Sequence, residues 1–229
     1  MITVRDVTFE YPQSTFALNV PRLDVPAGEH FAITGPSGCG KTTLLQILAG
    51  ILPASAGQVQ VAGVELSAMS GTERRSFRIT SVGQVFQNFE LLESLNLGDN
   101  ILLPYLINGA LKLDAGARTR AAELAMSVGL GEMLNRSVTM LSQGERQRAA
   151  ICRSVITRPK LILADEPTGN LDANSKLATM NLLHEQARAA SATLIVVTHD
   201  YSLLGDFDRH LDFAEIAAEA VVSTSEDSR

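Results

Sequence analysis

The chain of 229 residues contains no uninterrupted apolar run near the roughly 18 residues that a membrane-crossing helix needs. Met1 to Tyr11 carries Arg5 and Asp6 where a secretory leader would be apolar. These absences predict a soluble chain that is not exported. Cysteine is scarce as well. Cys39 and Cys152 sit in a glycine-rich loop and a predicted helix, which favours free thiols in the reducing cytosol and argues against a disulfide framework. Basic charge is in deficit, with 19 Lys and Arg against 25 Asp and Glu. A binder of phosphate backbones needs a basic footprint, so nucleic acid is not an expected partner. A chain of this length buries a full core as one α/β domain, with room for an inserted subdomain.

Against that background one stretch organises the rest. Gly35 to Thr42 reads Gly-Pro-Ser-Gly-Cys-Gly-Lys-Thr, after the apolar run Phe31-Ala32-Ile33 and before a helix-like stretch from Thr43 to Gly50. Strand, glycine loop and helix in that order match G-x-x-x-x-G-K-[ST], whose backbone N–H groups and helix N-terminus cradle phosphates. The candidate nucleotide contacts are Gly35, Pro36, Ser37, Gly38, Cys39, Gly40, Lys41, Thr42 and Thr43. Lys41 would neutralise the β- and γ-phosphates, and the Thr42 hydroxyl would reach Mg²⁺.

Around this loop the pattern alternates between strands and helices. Ile2 to Phe9 alternates as a strand and slips once at Arg5-Asp6, which predicts a bulge. Tyr11 closes it and, by residue type alone, reads as core or rim. Phe16 to Val25 and Glu29 to Thr34 are strands split by Pro26-Ala27-Gly28, and Gln58 to Gly63 is a half-exposed strand. Ser70 to Arg78 reads as a short basic helix. Ser81 to Phe86 is a strand, and Gln87 follows it as a loop residue. Phe89 to Ile107 is dense in large apolar residues, part core and part docking patch. Ala115 to Val128 has helical spacing and closes on Gly129.

Leu141 to Thr157 opens with Ser142 and Glu145 at capping-box spacing. A helix N-terminus headed by Ser142 and Gly144 offers donors and a positive dipole end to an anion. Leu161 to Ala164 is a continuous apolar run ending in Asp165-Glu166, the mark of a central parallel strand with carboxylates at its C-terminal edge. There Asp165 would hold Mg²⁺ through its water shell, and Glu166 would orient and deprotonate an attacking water. Asn174 to Ala189 is a helix with apolar Leu177, Met180, Leu183 and Ala187. Thr193 to Val197 is a buried strand, and His199 follows it at the same sheet edge as Glu166, placed for a γ-phosphate contact. His30, His184 and His210 have no such context. No pattern continues past Ala214, and Ser223 to Arg229 reads as a disordered polar tail.

The P-loop, Gln87, Leu-Ser-Gln-Gly-Glu at 141–145, Ile-Leu-Ala-Asp-Glu at 162–166, Asn170-Leu171-Asp172 and His199 together resemble the ATP-binding subunit of ABC transporters over residues 2 to about 213. The resemblance implies a P-loop NTPase core with a mostly parallel sheet, an N-terminal antiparallel β region and an inserted α-helical subdomain at about 88–157. It makes residues 1–229 a single domain and leaves 214–229 unassigned. It casts Tyr11 as the aromatic that stacks on adenine and Gln87 as the residue linking Mg²⁺ to a membrane partner. It makes Asp172 the D-loop aspartate and His199 the switch histidine. It also implies ATP and Mg²⁺ as cofactors and a head-to-tail homodimer in which Ser142 and Gly144 of one copy face the phosphates held by Lys41 of the other. The integral membrane subunit would dock at about Phe89 to Ile107, on the inner face of the cell membrane. Residues 144–148 and 164–172 resemble the lipoprotein-release and macrolide-export branch. An ABC ATPase that regulates a membrane or cell-wall process without transport is the alternative. Three positions depart from the family pattern: Gln143 replaces a glycine, Glu93 replaces a common proline, and no aspartate-glycine turn follows His210.

Overall fold

In the computed structural model, which describes residues 1–13, 15–169 and 171–215, the alternating N-terminal residues form an antiparallel sheet. β1 (Ile2–Glu10) pairs with β2 (Ala17–Val25) and points Ile2, Val4, Val7 and Phe9 into the core. The slip at Arg5-Asp6 is a real bulge. Asp6 has φ 50°, and the register against the later strand shifts between Arg5 and Thr8. The partner position must be Gly57, because a Cβ there would stand 2.3 Å from the Asp6 carbonyl oxygen. The extra residue keeps Val7 and Phe9 on the buried face, where a one-residue slip would expose them.

β3 (His30–Thr34) is buried along its whole length and leads through the P-loop into α1 (Lys41–Leu48). β4 (Ala56–Val61) and β5 (Val64–Glu65) return to the first sheet. α2 (Gly71–Ser81) runs three residues beyond the predicted basic helix and absorbs Ser81, so the next strand, β6, is Val82–Val85. β7 (Leu161–Asp165), β8 (Thr193–Val197) and β9 (Arg209–Asp212) complete a parallel sheet of order β6-β7-β8-β3-β9. All carboxyl ends therefore share one edge. That edge receives the P-loop after β3, Gln87 after β6, Asp165-Glu166 at the end of β7 and His199 after β8.

Between β6 and β7 lie α3 (Leu97–Ile101), α4 (Leu103–Ile107), α5 (Ala115–Ser127) and α6 (Gln143–Val155). They pack around their own apolar cluster, which includes Leu97, Ile101, Leu102, Ala121, Ala125, Leu130, Leu141 and Cys152. The apolar stretch therefore divides between core and surface. Leu97, Ile101 and Leu102 are at most 4% exposed, whereas Leu92, Leu106 and Ile107 are 45%, 47% and 62% exposed. The accessible face of that stretch is thus limited to a few residues.

α7 (Ala173–Ala189) follows β7. Leu177 was expected on its buried stripe but is 51% exposed, because burial along this helix begins only at Thr179. Two of the three histidines that lacked context meet each other: His30 on β3 and His184 on α7 stack with ring centres 4.8 Å apart and Nδ1 atoms 2.6 Å apart, with Phe207 edge-on to His184. Phe213 is buried under the P-loop, where a Cβ on Gly35 would meet its Cβ at 3.1 Å. Asn170 and the expected polar tail lie outside the described residues.

Candidate functional site

The P-loop is shaped by glycines with positive φ at positions 35, 38 and 40, of which Gly40 is the N-cap of α1 at φ 109°. A side chain at 40 would also collide with Phe16 and Leu18, both 2.9 Å from a Cβ placed there. Only glycine satisfies both constraints. The loop opens into a cleft of about 620 Å³ lined by Tyr11, Phe16, Lys41, Thr42, Gln87, Asp165, Glu166 and His199 among others. Residues that are far apart in sequence meet here because the parallel strands end together.

Lys41 is 8% exposed, and its ammonium sits at the loop mouth, donating to the carbonyls of Gly35 (2.9 Å) and Pro36 (2.7 Å). The Thr42 hydroxyl donates to Asp165 Oδ2 at 2.8 Å. Burial pushes the Asp165 carboxyl above the usual carboxylate range, partly offset by that Thr42 bond. A hydroxyl and a carboxylate side by side, with Gln87 lining the same cleft, form a hard-oxygen donor set that fits Mg²⁺. Mg²⁺ is typically held by one or two protein oxygens, phosphate oxygens and water. No group of three or more His, Cys, Asp and Glu suited to a metal occurs among the described residues.

Glu166 takes φ 46°, with its N–H bound to the Val197 carbonyl at 2.9 Å. That left-handed turn swings its carboxylate to within 2.8 Å of His199 Nδ1. Oε2 of Glu166 is buried without an aligned hydrogen bond. The loop carrying His199 is pinned by Asp200, whose carboxylate is paired with Lys176 of α7 at 2.8 Å. That pairing and the Ser202 bonds hold Asp200 at about 2. Neither Lys176 nor Asp200 stood out in the sequence, because an ion pair between a helix and a distant loop leaves no pattern there.

Tyr11 also lines the cleft. Its ring is edge-on to Phe9 at 4.8 Å and tilted against Phe16 at 5.9 Å, and its hydroxyl lies 3.2 Å from Thr43 Oγ1. Phe16 is a cleft aromatic that sequence reasoning passed over as part of a strand. Gly169 lies beside Gln87, whose Nε2 would be 3.3 Å from a Cβ added at 169.

Ser142, Gly144 and Asp172 do not line this cleft. The capping box forms as expected: Ser142 Oγ accepts from Glu145 N (3.3 Å), and Glu145 Oε2 accepts from Ser142 N (2.7 Å). The bonds that the Glu145 carboxylate accepts from the Ser142 N–H and from the Ser142 hydroxyl (2.9 Å) hold that carboxyl below its usual range, the backbone bond contributing most. Ser142 is exposed at the head of α6. Asp172 N-caps α7, accepting from Asn174 N and Ser175 N at 3.1 Å each. Within one chain, then, the phosphate loop and the signature helix end are separate surfaces.

Comparison with known proteins bears on the same elements. A family profile described as "ABC transporter" matches residues 18–169. The lipoprotein-releasing system ATP-binding protein LolD 1 of Rhodopirellula baltica is 37% identical over 218 residues, covering 94% of each chain. Its namesake LolD in Xanthomonas oryzae pv. oryzae is 41% identical over 204 residues, covering 87% of this chain and 83% of that protein. An ATP-binding cassette solved as a dimer in a post-hydrolysis state with ADP and Pi superposes with a TM-score of 0.81 at 29% identity, over 93% of this chain and 94% of that one. A second dimeric structure of the same cassette, described as coming from a bacterial ABC transporter, gives 0.80 at 30% identity, over 93% of this chain and 95% of that one.

Proposed function

The chain belongs to the ABC transporter family as one of its ATPase cassettes, and from that premise we propose that it powers the extraction of lipoproteins by a separate membrane subunit. The observation that carries the site assignment is the convergence of Thr42, Asp165, Glu166 and His199 on the P-loop cleft, with Thr42 to Asp165 and Glu166 to His199 each at 2.8 Å. The names of the relatives, lipoprotein-releasing system ATP-binding proteins, support the substrate class.

In this reading the amides of Gly35 to Thr43 cradle the phosphates and Lys41 neutralises them, while Tyr11 stacks on the adenine. Thr42, Asp165 and Gln87 would hold Mg²⁺, which would supply positive charge to neutralise the phosphates. Glu166 receives the proton of the attacking water, and His199 meets the γ-phosphate across from it. Ser142 and Gly144 of a second copy, packed head to tail, close each site with hydroxyl, amide and helix dipole. Asp172, at the cap of α7, faces the same interface. The separation of Ser142 from the cleft within one chain supports this two-copy arrangement.

Among the described residues no helix is long and apolar enough to cross a membrane, and a separate membrane subunit is the partner in this reading. That subunit docks on the exposed residues of α4, Leu106 and Ile107, beside a groove of about 250 Å³ lined by Phe86, Glu90, Leu103 and Pro104. The cassette then sits peripherally on the inner face of the cell membrane. Residues 1–229 act as one ATPase domain in which about 88–157 form the helical subdomain.

Glu166→Gln tests the assignment. Removal of the base with shape retained should lower hydrolysis by about 10²- to 10⁴-fold while ATP still binds. Turnover at the parent rate would show that Glu166 is not the base.

A further inference from the structure

Phe89 and Glu90, just after Gln87, both adopt left-handed backbone although neither is glycine, at φ 63° and 50°. L-residues enter that region singly and at a cost, so two in succession need support from outside the turn. The support is one side chain. Arg153 of α6 donates through Nη2 to the Phe89 carbonyl and through Nη1 to the Glu90 carbonyl. A planar guanidinium fork suits two adjacent acceptors, and an ammonium does not. Arg153 is 8% exposed, and burial lowers it to about 10, which leaves it charged near neutrality.

The fold is built to bring Arg153 there. β6 lies so close to α6 that a Cβ on Gly83 would stand 2.1 Å from the Ser154 carbonyl oxygen. Beyond the turn, Asn100 is fully buried and pins the next segment, accepting from Leu92 N and donating to the carbonyls of Leu92, Leu95 and Asn96. The stretch from Gln87 to Asn96 is therefore held at defined points. One of those points is on the helix whose other end is Ser142.

We propose that Arg153 is a positioning residue: its fork holds the left-handed pair Phe89-Glu90, which sets Gln87 at the nucleotide cleft and joins it to the helix headed by Ser142. The proposal rests on the roles given above to Gln87 and Ser142. Arg153 itself does not line the cleft, so its loss acts on turnover and not on nucleotide affinity.

The test uses the full chain. Arg153→Lys keeps the charge and removes the fork. Its kcat for ATP should fall at least about tenfold, while the MgATP Kd stays within about twofold. Adding Phe89→Gly and Glu90→Gly should restore most of the loss, since glycine takes positive φ without support. An unchanged kcat per folded molecule, or a loss that the glycine pair does not relieve, overturns the proposal. Hydrogen exchange on the unmodified protein is independent of how the variants fold. The Phe89 and Glu90 amides, bonded to Phe86 O and Asn88 O, should exchange far more slowly than an open loop, and open-loop exchange overturns the clamp. If the unmodified chain neither binds nor hydrolyses ATP, the nucleotide-site reading fails. If it does both and Arg153→Lys matches it, only the Arg153 assignment fails.

Discussion

Acidification should loosen the contact between β3 and α7, because His30 and His184 are held neutral there. Burial is the first cause for both rings. Arg188 opposes protonation of each, His30 opposes that of His184, Asp208 favours protonation of both, and Asp206 favours that of His184. His184 is lowered from 6.5 to about 4. A depressed histidine means that the unfolded chain binds protons first. The stabilisation is complete above about pH 6.5 and is lost as pH falls toward 4. At about pH 5, His184 alone accounts for roughly 2 kcal/mol of lost stability by linkage, or about 1 kcal/mol after allowance for solvent screening. For a domain of this size that is a fall in Tm of about 2–4 °C. Thermal unfolding of the wild type and His184→Gln, each at about pH 7.5 and pH 5, isolates the effect, since the carboxylates titrate alike in both. Asp200, held at about 2 by Lys176 and Ser202, gives up its stabilisation only below about pH 4, outside this window. An equal drop in Tm for the two proteins would refute the reasoning.

Two further outcomes separate core from surface and test the signature. Leu102→Asp places a carboxylate at a 4% exposed position in the helical cluster and should cost about 3 kcal/mol or more in urea denaturation. Ile107→Asp, at 62% exposure, should change stability by less than about 0.5 kcal/mol yet abolish co-purification with the membrane subunit; retained co-purification would move the docking face elsewhere. Gln143 is exposed at the first turn of α6, so Gln143→Gly should change ATP turnover by less than about tenfold, or about 1.4 kcal/mol in barrier. Abolished turnover would mean that the glutamine contacts the nucleotide or the second copy.

What was readable in the sequence is what local backbone physics dictates. The P-loop needs glycine where φ is positive and where Phe16 presses on Gly40. The capping box at Ser142 closes within four residues, and the bulge at Asp6 shows as a break in alternation. The Phe89 to Ile107 stretch was only half readable. Two short helices meet at Leu102 and turn different residues inward, so no single period separates core from surface. Leu177 failed in the opposite sense, because helical spacing says nothing of where a helix outruns the layer it packs on. His30 with His184, Lys176 with Asp200, and Arg153 with the Phe89-Glu90 turn are tertiary pairings between elements far apart in the chain. Each side chain is ordinary in its own segment, and only the fold supplies its partner.

The central claim is that each ATP site is made by two copies, Lys41 from one and Ser142 from the other. Mixing inactive Lys41→Ala with inactive Ser142→Ala tests it directly. In a two-fold head-to-tail pair both faults fall in one site and the other site is intact, so independent sites would recover up to roughly a quarter of wild-type turnover. Activity of the mixture clearly above either variant alone is the predicted result, and activity no higher than their average would contradict the composite site.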